Sequence, residues 1–326
     1  MSVFSAATET DAQSFAGWFD RLVGNVELVI RGKTDVVRLV LIAMFAEGHV
    51  LLEDVPGVGK TMLARTLSKS IEGQMRRIQF TPDLLPSDVT GVSIFNQNTR
   101  EFEFHEGPIF ANIVLADEIN RASPKTQSAL LEVMEEHRVS VEGVPLYVPR
   151  PFLVIATQNP IELEGTYRLP EAQLDRFLLK TTIGHPDIAS EIEILRSHGQ
   201  SHSKVDDLQP VLGIEQAWQL VAFAESVHVS DGILAYIANI ADSTRRQPEL
   251  RLGASPRGSL GLMRAARVLA ASEGRSFVTP EDIGFLAEPV LAHRVILTPE
   301  AELQGRTGSG IVRRVVDSVP VPQTRT

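Results

Sequence analysis

One stretch constrains this chain more than any other: Val50-Leu51-Leu52-Glu53-Asp54-Val55-Pro56-Gly57-Val58-Gly59-Lys60-Thr61. A short apolar run bounded by proline and glycine reads as a buried strand entering a tight loop, and Met62-Leu63-Ala64-Arg65-Thr66-Leu67 continues with helical periodicity. Strand, glycine loop and lysine-headed helix form a phosphate cradle. Pro56 leads into the loop, and Gly57, Val58, Gly59, Lys60, Thr61 and Met62 present backbone N–H groups at the positive end of a helix dipole. Lys60 can reach β- and γ-phosphates, and the Thr61 hydroxyl can ligate Mg²⁺. The expected ligand is a nucleoside triphosphate. The general pattern G-x-x-x-x-G-K-[ST] has glycine at its first position, where this chain has Asp54.

At 326 residues the chain is long enough for two domains. A net charge of −10 disfavours binding to a phosphate backbone, which depends on clustered Lys and Arg, so nucleic acid is disfavoured as a partner. Without cysteine there is neither a disulfide framework nor a thiolate metal site. The N-terminus has no basic segment followed by an apolar core, and the most hydrophobic run, Val36 to Ala46, is interrupted by Arg38 and falls short of the roughly 20 residues of a membrane span. These features lead to the expectation of a soluble, cytoplasmic protein.

Helices are expected between Asp11 and Glu47, the second running from Thr34 to Phe45. Apolar strands follow at Met75–Phe80, Ile113–Ala116, Phe152–Thr157 and Leu178–Ile183. Two hairpins interrupt them, Val92–Phe95 with Glu101–Phe104 and Arg138–Val141 with Val144–Val148. Ser123-Pro124 opens a helix to Glu136. Apolar strands alternating with helices predict a doubly wound parallel sheet of the α/β class. In such sheets ligands sit beyond the carboxyl ends of the strands, where Lys60, Asp117, Glu118 and Asn159 all fall. From His185 the chain reads as helical, over 188–197, 214–227, 232–243, 255–271 and 281–291, followed by an extended or frayed tail from Ser318. The expected boundary separates 1–184, an α/β domain with N-terminal helices, from 185–326, an all-helical domain. His198 and His202 lie four apart, but Gly199 and the flanking serines point to a solvated linker rather than a metal site.

Asp117-Glu118-Ile119-Asn120-Arg121, Thr157-Gln158-Asn159-Pro160, Glu164-Gly165-Thr166-Tyr167, the run Leu169 to Phe177 and Gly253-Ala254-Ser255-Pro256-Arg257 together resemble the MoxR group of AAA+ ATPases, in the family's order. The Leu52-Glu53-Asp54-Val55-Pro56-Gly57 form of the phosphate loop is similar to what that group uses. The resemblance implies an AAA+ P-loop domain followed by a small helical lid, and Mg²⁺-dependent ATP hydrolysis. By the same resemblance Asp117 holds Mg²⁺, Glu118 activates the attacking water, and Asn159 is the first sensor near the γ-phosphate. Arg176 corresponds to an arginine finger acting on a neighbouring subunit's nucleotide, and Arg257 to a second sensor reaching from the lid to the phosphates. Hexameric rings, a partner with a von Willebrand factor A-like domain, and chaperone-like assembly of a client or insertion of its metal cofactor are further implications. The hairpins match insertions that face the pore or the partner in relatives. The alternatives are a nucleic-acid motor and a motor subunit of magnesium-chelatase type.

Overall fold

The computed structural model describes residues 8–141, 143–159, 166–167, 169–197 and 205–322. Helix α1 (Glu9–Glu27) starts at Thr8, whose hydroxyl oxygen accepts the Asp11 N–H, and Glu9 and Asp11 in its first turn complement the helix dipole. Phe15, Phe19, Leu22 and Val26 recur on one face and are buried. Helix α2 (Thr34–Phe45) is apolar almost all round, as its buried position requires. The chain turns at Gly48, where any Cβ would stand 2.4 Å from the Leu178 side chain, and enters β1 (Val50–Glu53).

After β1 come α3 (Lys60–Ser70), β2 (Met75–Gln79), α4 (Pro86–Thr90), β3 (Gly91–Asn96), β4 (Glu101–Glu106), β5 (Ile113–Asp117), α5 (Pro124–Glu136), β6 (Arg138–Val141), β7 (Val144–Tyr147), β8 (Leu153–Gln158), α6 (Glu171–Leu174) and β9 (Leu179–Thr181). Five of the strands form one parallel sheet in the order β2-β5-β8-β1-β9. Alternate residues along its strands enter two different cores. Val50, Leu52, Ile113, Leu115, Leu153 and Ile155 pack with α1, α2 and α3, whereas Leu51, Val114, Ala116, Val154 and Ala156 pack with α5. Both faces are therefore covered, which is why these strands read as uninterrupted apolar runs. Hairpins β3–β4 and β6–β7 form separate two-stranded sheets, as expected from their period-two patterns.

The second half contains α7 (Ile188–Ser197), α8 (Ile214–Ser226), α9 (Asp231–Arg245), β10 (Leu250–Leu252), α10 (Pro256–Ser272), α11 (Pro280–Leu291), β11 (Ile296–Leu297), α12 (Pro299–Leu303) and α13 (Gly308–Ser318). It is a helical lid with one small addition, the antiparallel pair β10–β11. Helices α12 and α13 also extend beyond the sequence-based expectation. Thr298 and Thr307 cap them through their hydroxyls, and Ile311, Val312 and Val315 of α13 bury against the lid. Val319, which was expected in a frayed tail, is only 6% exposed and belongs to the core. Helix α1 packs on α2 and α3 and also on α10, so the N-terminal helix joins the sheet to the lid. The pair His198 and His202 lies outside the described residues.

Candidate nucleotide site

Between β1 and α3 the chain makes the turn that its glycines predict. Gly57 and Gly59 have φ of 88° and 96°, in the left-handed region that favours glycine, and a Cβ at either would meet nothing within 4 Å. The backbone angle, rather than lack of space, is the requirement for glycine here. Gly59 caps α3, so the amides of Lys60, Thr61 and Met62 begin the helix and carry its positive dipole end. The Lys60 ammonium folds back over the loop and donates to the carbonyl oxygens of Asp54 (3.0 Å) and Val55 (3.2 Å). Pro56 and Gly57 are exposed at the loop tip, and Val58 and Gly59 are half-buried.

Strand register aligns the acids with this loop. Glu53 pairs with Gln158 at the ends of β1 and β8, and Gln79 pairs with Asp117 at the ends of β2 and β5. Asp117, Glu118 and Asn159 thus follow the carboxyl ends of neighbouring strands, on the edge where β1 opens into the loop. Thr157 ties two of them together: its Oγ1 donates to Asp117 Oδ1 (2.7 Å) and accepts the Glu118 N–H (2.8 Å). Glu118 has a φ of 56°, rare for a residue with a side chain and concentrated at functional sites. Its carboxylate accepts from Gln79 Nε2 (2.9 Å) and from Arg121 Nη1 (3.1 Å), while Arg77 Nη2 pairs with Asp117 Oδ2 (2.6 Å). Asn159 is 8% exposed. Sequence reading missed Gln79, Arg77 and Thr157 as site residues. The available signal was their place at the polar end of strands flanking the acids.

Arg176 and Arg257 lie elsewhere. Arg176 Nη1 donates to the Leu131 carbonyl (2.6 Å), and its Nη2 lies 3.1 Å from Glu135 Oε2. Arg257, in the first turn of α10, pairs with the other oxygen of the same Glu135 carboxylate. Glu135 is in the last turn of α5, beside Met134, whose carbonyl bonds the ring of His49 just before β1. Arg176 precedes the amino end of β9, where Leu179 pairs with Val50. Both arginines therefore sit at the amino edge of the sheet, separated from the loop by the length of β1, about 13 Å at ~3.3 Å per residue. The structure places Arg257 with Arg176 on Glu135, away from the phosphate loop of its own chain.

The lid fastens that edge. Asp175 accepts from Ser255 Oγ (2.9 Å) and pairs with Arg294 (2.6 Å), which also donates to the Phe177 carbonyl (2.6 Å). Arg294 is deeply buried. Burial lowers its pKa to about 10, so it stays charged at neutral pH beside Asp175.

A glycine loop at the end of a central parallel strand, a lysine opening the next helix, paired acids on the same edge and a helical lid define an AAA+ nucleotide-binding protein. Residues 49–179 match the ATPase family associated with various cellular activities (AAA), and residues 242–315 match the AAA lid domain. The chain is 52% identical to YeaC, an uncharacterized protein of Bacillus subtilis, over 94% of this chain and 95% of the relative. It is 41% identical to Chaperone MoxR1 of Mycobacterium tuberculosis over 93% and 82% of the two chains, and 31% identical to Protein MoxR of Methylorubrum extorquens over 96% and 97%. The crystal structure of a candidate ATPase from Cytophaga hutchinsonii, 37% identical, superposes with a TM-score of 0.89 over 97% of this chain and 98% of that one. The chain belongs to the MoxR family of AAA+ ATPases, and it binds nucleotide as an ATPase of that class. Among the described residues no helix is long and apolar enough to cross a membrane.

Proposed function

We propose that this chain is a ring-forming ATPase, hexameric by the family resemblance, whose cycle moves the lid against the sheet to remodel a client protein. In this reading the loop from Pro56 to Met62 grips the phosphates, with Lys60 on the β- and γ-oxygens. The Thr61 hydroxyl and the Asp117 carboxylate suit a hard cation that prefers oxygen ligands, and they would hold Mg²⁺, which neutralises phosphate charge when bound. Glu118 orients and activates the attacking water from its strained position after β5, and Asn159 senses the γ-phosphate. Arg176 and Arg257 serve the nucleotide of the adjoining subunit. A division at Gly184–His185 separates the sheet domain, 1–184, from the lid, 185–326.

The observation that carries this reading is the distance between two halves of the chemistry. Phosphate loop and acids occupy one edge of the sheet, and the two arginines gathered by Glu135 occupy the other. One chain cannot bring both halves to one γ-phosphate, whereas a head-to-tail ring can. The MoxR1 name supports chaperone-like work, and the family resemblance supports a cytoplasmic location and a partner with a von Willebrand factor A-like domain.

The test mixes two inactive variants. Lys60→Ala should fail at its own site but still lend Arg176, and Arg176→Ala should bind ATP but leave its neighbour without the finger. Mixed rings should regain ATP hydrolysis that neither variant has alone, rising with the fraction of mixed interfaces. If verified mixed assemblies show no recovery, the shared-site reading is wrong.

A further inference from the structure

Asp54 occupies the position where the general phosphate-loop pattern has glycine, and its surroundings explain the exchange. It is 5% exposed, and its carboxylate accepts two backbone N–H groups from far along the chain, Ile183 (2.6 Å to Oδ2) and Gly184 (2.9 Å to Oδ1). These residues follow β9 and open the linker that leads through His185 into α7. Gly184 has a φ of 65°, which suits a glycine at the bend. The linker is held from a second side, since Lys33 Nζ, at the start of α2, donates to the His185 carbonyl (2.7 Å).

The backbone of Asp54 faces the other way. Its N–H donates to the Gln158 carbonyl (3.1 Å), next to Asn159, and its own carbonyl receives Lys60 Nζ (3.0 Å). One residue therefore touches the phosphate-binding lysine, the strand of the first-sensor candidate and the linker to the lid. A glycine could keep the first two contacts but has no atoms for the third.

We propose that Asp54 is a positioning residue that couples the phosphate site to the lid linker. Lys60 leaves the Asp54 carbonyl when it engages phosphates, the loop end adjusts, and the buried carboxylate carries that adjustment to the Ile183 and Gly184 amides. The inference rests on the ATPase reading above and adds to it the contact through which nucleotide state reaches the lid.

Asp54→Gly, which restores the general pattern, and Asp54→Asn, which keeps one carbonyl acceptor, test it. The measurements are affinity for a fluorescent ATP analogue, turnover at saturating ATP, thermal melting, and amide exchange at Ile183 and Gly184 with and without ATP. Losing hydrogen bonds to a charged acceptor should speed exchange at the two amides about ten- to hundred-fold in Asp54→Gly. Turnover should fall by about tenfold or more while affinity changes by less than about threefold, a loss in the catalytic cycle rather than in binding. Added ATP should slow or speed exchange at these amides in the parent and leave Asp54→Gly unresponsive, with Asp54→Asn in between.

Parental turnover together with an intact ATP response in Asp54→Gly would overturn the proposal. So would a large loss of affinity with turnover preserved, because Asp54 would then only shape the loop. If Asp54→Gly does not fold, Asp54→Asn decides by the same two readouts. A parent that binds ATP without hydrolysing it would instead refute the ATPase reading, and the exchange response to bound ATP would still judge the coupling.

Discussion

Acidification should loosen the strand that carries the phosphate loop, through His49. This residue precedes β1 and is 3% exposed. Its Nδ1 accepts the Val154 N–H (3.1 Å), so the ring proton is on Nε2, which donates to the Met134 carbonyl (3.0 Å). A second proton would set N–H against N–H in the core. Burial, with smaller contributions from nearby His137 and Arg264, lowers its pKa from 6.5 to about 3. The folded-state value lies below the unfolded one, so the stabilisation is complete above pH 6.5 and declines as pH falls from there towards about 3, because only the unfolded chain takes up the proton. With an unfolded pKa of ~6.5, the loss is RT ln(1 + 10^(6.5 − pH)), about 1.4 kcal/mol at pH 5.5 and about 2 kcal/mol at pH 5.0. Urea unfolding of the parent and of His49→Gln, which can both donate and accept but does not titrate, isolates this from the other histidines. Between pH 7.5 and 5.0 the parent should lose about 2 kcal/mol more than the variant. A difference between the two proteins that stays constant over that range would refute the assignment of a buried, neutral His49.

Two further outcomes follow from the site. Asp175→Asn leaves the buried Arg294 guanidinium without its counter-ion, and breaking a pair of this kind costs about 3–5 kcal/mol; thermal melting should show that loss, and a change below ~1 kcal/mol would mean that the pair does not hold the lid. Glu118→Gln should bind ATP as the parent does while turnover falls by about 10²–10⁴, the usual contribution of a general base; phosphate release at the parental rate would assign the base to another residue.

The central strands and the nucleotide edge were legible in the sequence because local rules determine them. Strands β1, β5 and β8 are buried on both faces and so carry continuous apolar runs, and each ends where polar residues begin, at Glu53, Asp117 and Gln158. The loop glycines were legible because only their backbone angles demand that residue. Helices α12 and α13 were missed although a signal was present: Thr298-Pro299-Glu300 is the same cap, proline and early acid that marked α11 at Thr279-Pro280-Glu281. Strands β10 and β11 carried no such signal, since they are two or three residues long and exist only through each other. Asp54 stood out in the sequence only as a departure from a pattern. Its partners lie about 130 residues downstream, and no periodicity reports a contact of that range.

The grouping of Arg176 and Arg257 was illegible for the same reason, and it alters how their charges must be balanced. Two guanidiniums side by side repel unless an anion lies between them, and in this chain the anion is Glu135. The side chains of all three remain at least 30% exposed, so the cluster faces outward, where a second negative group can approach. In the proposed ring, a neighbour's triphosphate, which carries more charge than one carboxylate, would compete with Glu135 for both arginines. Asp175, paired with buried Arg294 and Ser255, anchors the backbone beside Arg176 independently of the partner that the Arg176 side chain takes. The lid supplies both anchors of Asp175 as well as Arg257, so any movement of the lid acts on the arginine edge directly. Asp54 holds the linker to the same lid at the phosphate edge of the sheet, so in the proposed ring a single lid motion would reach both edges of a subunit.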